Sequence, residues 1–171
     1  MHTPEDELRA IISSATPSLL GASEAEVTTR IRPDAWSPKE IIGHLIDSAA
    51  NNHRRFVEAQ FTDDLLFPGY DQDGWVSAQG YQDLAWSDLV TLWSLYNLHL
   101  ASVMAAMPAS VRHEPRARHA LHAISWEKVP EHEPATLDYM LSDYVGHLKH
   151  HLKQVYREIG RGYTPDAATH E

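Results

Sequence analysis

Twelve histidines and no cysteine set the chemistry open to this 171-residue chain. Metal ligation must use imidazole and carboxylate, and any thiol chemistry must bring its thiol from outside. His147 and His151 stand four apart in the run Asp143-Tyr144-Val145-Gly146-His147-Leu148-Lys149-His150-His151-Leu152. On a helix that spacing places both on one face, one turn apart. Met140, Tyr144, Leu148 and Val155 share the face, so it should point into a core. Two inward imidazoles need a further donor to hold a metal. His44, set between Ile41, Leu45 and Ser48, is the best candidate on a facing helix. Three imidazoles leave coordination positions open for water or substrate, which is the pattern of catalytic metal sites. The plain alternative for each is a packed, hydrogen-bonded core histidine. A ligating imidazole must be neutral, so an unperturbed set would release metal as pH falls through roughly 6 to 5.

Other polar residues sit near these three. Asp47 lies one turn from His44, and Asp143 one turn from His147. Either could orient a ligand imidazole or accept a proton, and either could equally be a solvated carboxylate on a helix surface. His150 is rotated about 100° from His151 and should face solvent or the rim. Asn51, Asn52 and Arg55 lie further along the helix of His44 and are candidates for lining a substrate pocket. His53 and His99 read as core or rim residues, and Tyr144 and Trp75 as core and loop-anchoring aromatics.

Four segments carry the helical period that would position these groups. The first runs from about Pro4 to Leu20, with Gly21 stopping it. The second opens at Ser37-Pro38-Lys39-Glu40, a capping box with proline at the first helical position, and continues to about Ala59. The third opens at Trp86-Ser87-Asp88 with Ser87 as cap. Its stripe of Leu89, Leu92, Trp93, Tyr96, Leu100, Val103 and Met107 ends before Pro108. The fourth runs from Thr136, as cap, to Ile159 and Gly160. Two long connections, 60–85 and 109–135, exceed ordinary loop length, and such loops are often functional. Asp71-Gln72-Asp73-Gly74 resembles half of a calcium loop but lacks the remaining ligands and the closing glutamate. An aromatic-bearing loop over a bundle end is the better reading, with short pairings inside the loops allowed.

Composition narrows the class of protein. The 43% hydrophobic and 22% charged residues are ordinary for one globular domain over 1–171. A net charge of −10, from 24 acidic and 14 basic residues, argues against nucleic-acid partners and anionic membrane surfaces. No stretch reads as approaching the roughly 20 apolar residues of a membrane span. The acidic N-terminus lacks a signal-peptide pattern, so a cytoplasmic protein is the expectation. Trp86, Trp93 and Trp126 near element ends suggest an apolar patch for self-association.

The run Trp36-Ser37-Pro38-Lys39-Glu40-Ile41-Ile42-Gly43-His44-Leu45-Ile46-Asp47-Ser48, with Asn51-Asn52-His53-Arg54-Arg55-Phe56 after it, resembles the DinB/YfiT-like superfamily. The segment Asp143 to Gln154 resembles that family's closing metal motif. The resemblance implies an all-α, four-helix bundle with overhand connectivity. It implies a metal on His44, His147 and His151, and a homodimer; as a divalent ion, zinc or nickel is expected because imidazole ligands suit both and neither demands sulfur. It also implies an enzyme on a small-molecule substrate that transfers a low-molecular-weight thiol such as bacillithiol, mycothiol or glutathione. The alternatives are a metal-dependent hydrolase and a metal-binding or stress-related module without turnover.

Overall fold

The computed structural model describes residues 3–163. The elements in order are α1 (Pro4–Leu20), α2 (Glu24–Thr28), α3 (Pro38–Glu58), α4 (Gln72–Gln79), α5 (Trp86–Ala106), α6 (Ala109–Arg112), α7 (Leu121–Ile124) and α8 (Leu137–Glu158), with a single 3-10 turn at Tyr81–Asp83. The long helices α1, α3, α5 and α8 form a four-helix bundle. Helix α5 packs on both α1 and α3, and α8 packs on both α3 and α1. The consecutive long helices α1 and α3 are therefore diagonal, as are α5 and α8. A simple up-and-down bundle would make them neighbours. The crossing from α5 to α8 needs a long connection, which accounts for the second extended loop.

The capping residues expected for α3 and α8 act as read, and α1 has a side-chain cap as well. Thr3, Ser37 and Thr136 each accept the backbone N–H three residues on, and Glu40 closes the box at Ser37. Helix α5 differs. It starts one residue before Ser87, with Ala85 at the cap position and no side-chain cap. The cause is tertiary: the Trp86 indole donates to the Leu19 carbonyl at 2.7 Å, which fixes the helix start against the end of α1.

The inward face of α5 is Leu89, Val90, Trp93, Asn97, Leu100, Ala101 and Met104, and Leu92 lies outside it. Asn97 is tolerated there because the Tyr144 hydroxyl donates to its side-chain oxygen at 2.6 Å and its amide bonds the Trp93 carbonyl. Trp86 and Trp93 are buried, so they form no surface patch, while Trp126 is 45% exposed. Helix α5 also corrects the membrane reading, being long and apolar enough to cross a bilayer by length and composition. Here its apolar face packs into the bundle core.

Both long connections carry structure. The Asp71 carboxylate caps α4 by accepting the Gly74 N–H at 3.1 Å, which explains the calcium-like spacing. The Tyr70 ring rests against Trp75 with centroids 5.1 Å apart. One isolated bridge, Leu65 with His119, joins the two connections, a second, Arg116 with Ala135, closes the later one on itself, and the described residues contain no longer β-ladder.

Candidate metal centre

The site begins with two glycines that let aromatic rings reach helix backbones. A Cβ on Gly43 would stand 2.1 Å from the Tyr81 ring, so only glycine admits that ring against α3. A Cβ on Gly146 would stand 3.1 Å from Trp126, which lies over α8. Each glycine precedes a histidine, so an aromatic group packs beside His44 on one side and His147 on the other.

The structure brings His44, His147 and His151 together, one ligand atom of each lying within 4.8 Å of the others. His44 and His147 face each other through Nε2 atoms 3.3 Å apart. Two nitrogens each 2.0–2.1 Å from a tetrahedral zinc ion would be about 3.3 Å apart, so this spacing suits such an ion. His151 Nδ1 lies 3.3 Å from the Gln154 side-chain oxygen and can donate to it, leaving Nε2 as the lone-pair nitrogen. His44 is 0% exposed and its Nδ1 has no hydrogen-bond partner. The Trp36 ring covers His44, with centroids 4.9 Å apart, and lies 6.5 Å from His151.

Burial, and after it the nearby His151, lowers the His44 pKa from its ordinary value to about 3. Burial and the neighbouring imidazoles lower His147 to about 2. His151 falls to about 4 through burial and His150, against an opposing effect of Gln154. All three imidazoles are thus held neutral, the form that binds metal.

A cavity of about 350 Å³ opens beside them, lined by His147, His151, His150, Asn52, Arg55 and Asp143 among others. His150 is exposed at this wall, its ring 5.1 Å from His151 and 5.5 Å from Trp126.

The two aspartates are not solvated surface groups. Asp47 is buried and accepts from Tyr81 Oη at 2.6 Å and from the Gln79 amide, and none of these bonds reaches His44. Burial raises its pKa, partly offset by those donors. Asp143 accepts the backbone N–H groups of Trp126 and Glu127 at 3.1 and 2.8 Å, which fastens the 121–135 segment as a cavity wall. Burial raises its pKa too, against those two donors. Asn52 lines the cavity, whereas Asn51 bonds the Asp47 carbonyl. His53 and His99 pack edge to face 5.0 Å apart, and His53 Nδ1 lies 3.3 Å from the Tyr96 hydroxyl.

A family model described as the DinB superfamily matches residues 6–155. The chain belongs to the DinB superfamily. A similar solved structure is described as "YfiT from Bacillus subtilis is a probable metal-dependent hydrolase with an unusual four-helix bundle topology". It is 17% identical, covers 93% of this chain and 87% of its own, and superposes with a TM-score of 0.72. At that identity the likeness speaks for the DinB-type bundle and its connectivity. Among curated proteins, none matches the sequence.

Trp36, Gln154, Tyr81 and Gln79 also surround the site of this DinB chain, and none of them is among the site candidates of the sequence. Gln154 had a signal, being three residues beyond His151 on the same helix. The long-range partners Tyr81 and Gln79 had none, because only the folded connection brings them to α3.

Proposed function

We propose that this DinB-superfamily chain is a metal-dependent hydrolase acting on a small molecule, with His44, His147 and His151 holding one divalent ion, zinc or nickel. The observation that carries it is the cluster of three neutral imidazoles beside a polar cavity. A divalent ion on neutral imidazoles keeps its full charge and supplies Lewis-acid polarisation to whatever binds beside it. Gln154 orients His151 by accepting from Nδ1, and Trp36 excludes water from the far side of His44. His150, exposed on the cavity wall, is the side chain placed to take a proton from an attacking water. The similar YfiT structure, described as a probable metal-dependent hydrolase, supports the same reading.

One observation favours thiol transfer as a second reading. Among the described residues, Asp143 is the one carboxylate lining the cavity, and both its oxygens already accept backbone N–H groups. A thiol, with an ordinary pKa near 8.5, needs less help from a base than water does. The chain has no cysteine of its own, so such a thiol would be a cosubstrate.

The test is metal analysis of the purified protein, followed by rate measurements on simple esters and amides and on biological thiols with an electrophile. Hydrolysis predicts ester or amide cleavage lost on chelation and in His151→Ala, with kcat about 100-fold lower in His150→Gln. Thiol consumption that is insensitive to His150→Gln would establish the second reading instead. A metal-loaded protein inert to both panels would defeat the enzymatic proposal.

A further inference from the structure

Among the described residues three arginines are buried, and two of them are fully committed. Arg112, 8% exposed, donates to the carboxylates of Glu5 and Asp138. Arg116, 6% exposed, donates to the carbonyls of Ala59, Thr62 and Val111. Arg55, 7% exposed, is different. Its Nη2 donates to the Pro68 carbonyl at 2.7 Å, and its Nη1 lies 3.5 Å from the Asn52 side-chain oxygen, beyond a good hydrogen bond. Among the described residues no carboxylate forms an ion pair with it. A guanidinium carries five N–H donors, so most of Arg55's capacity is unused by the protein.

The unused donors belong to a side chain that lines the same cavity as His147 and His151. A buried charge without a counter-charge is costly, and such a charge persists where a ligand supplies the missing partner. His44, Ser48, Asn52 and Arg55 follow one another at spacings of four, four and three along α3, which keeps them on one face. From His44 to Arg55 the helix rises about 16 Å. Helical side chains lean back toward the N-terminus, and arginine reaches further than histidine, so the guanidinium stands at a distance on the order of 10 Å from the imidazoles. Tyr70 lines the same wall, and burial, reinforced by Asp47, holds its phenol protonated as a further donor.

We propose that Arg55 recognises a carboxylate or phosphate at the far end of the substrate, whose reacting bond lies at the three histidines. This inference rests on the metal-dependent reading above and names its substrate class as small anionic molecules. The planar fork of arginine pairs with either anion through two parallel hydrogen bonds, with Asn52 and Tyr70 completing the cradle.

Calorimetry on metal-loaded protein would compare suberic acid monohydroxamate, which chelates metal at one end and carries a carboxylate at the other, with its neutral monoamide. The acid should bind at least about tenfold more tightly, and Arg55→Met should abolish the difference while metal content stays unchanged. Equal binding of the two probes, or a preference that survives Arg55→Met, would overturn the proposal. If Arg55→Met does not fold, the Arg55 Nε–H resonance of the wild type, assigned through its loss in Arg55→Lys, decides. It must move with the acid and stay still with the amide. If no metal loads, the reading of the metal centre has failed by itself, and acetate and inorganic phosphate are titrated into metal-free protein. Movement of the Arg55 resonance then supports the anion site and identifies the better headgroup, and its silence refutes it.

Discussion

Lowering the pH of the metal-free protein from 7 to 5 should destabilise it severely through the three clustered imidazoles. In the unfolded chain each titrates near pH 6.5. In the fold they titrate at about 3, 2 and 4 for His44, His147 and His151, chiefly because burial penalises the charged form. Between those limits the unfolded state binds more protons, so stability falls as pH falls from about 6.5 toward about 4. Each pH unit in that window is worth about 1.4 kcal/mol for each imidazole, or about 2 kcal/mol for each between pH 7 and 5. Three such groups lose about 6 kcal/mol together, comparable with the whole stability of an ordinary domain. Urea denaturation followed by circular dichroism, with a chelator present, measures this directly. The variant with glutamine at positions 44, 147 and 151 should show a correspondingly shallower pH dependence. A loss under about 1 kcal/mol in the wild type, or equal slopes in the two proteins, would refute the reasoning. The same burial shifts metal release. Proton competition inside the fold begins near pH 4, below the roughly 6 to 5 expected of unperturbed imidazoles.

Gly43→Ala should lower stability by about 1–2 kcal/mol despite alanine's better helix propensity, because its methyl meets the Tyr81 ring. A melting temperature at or above wild type would show that Tyr81 yields freely. Asp143→Ala should cost about 1–2 kcal/mol and erase hydrogen-exchange protection at the Trp126 and Glu127 amides. Unchanged protection there would mean that other contacts hold the wall. The exposed leucines of α5, Leu92 at 51% and Leu95 at 63%, underlie an expectation of homodimers that light scattering checks. A monomer at all practical concentrations would end that expectation.

Much of the bundle was legible because local chemistry and tertiary need agree along three helices. At Ser37-Pro38-Lys39-Glu40 the capping box, the proline and the apolar period all give one helix start, and the structure has it there. Helix α5 was misread at its start because the deciding bond, from Trp86 to Leu19, spans distant segments. Its inner face was misjudged at Leu92 and Asn97, since a polar residue enters a core when a partner such as Tyr144 awaits it. The His147 and His151 pair was legible because i,i+4 spacing on an apolar stripe is a local signal, whereas His44 rested on its place on a facing helix and on the family resemblance. The roles of Asp47 and Asp143 were not, because each depends on a connection that folds back over the helices.

One divalent metal shared by His44, His147 and His151 underlies everything proposed for this protein. Anomalous diffraction from crystals of the metal-loaded protein, collected across the zinc, nickel and iron absorption edges, tests it most directly. One strong peak is expected, at the zinc or nickel edge, within ligand distance of a nitrogen from each of the three imidazoles. A metal-loaded crystal with its peak elsewhere, or with no peak among these three side chains, would contradict it.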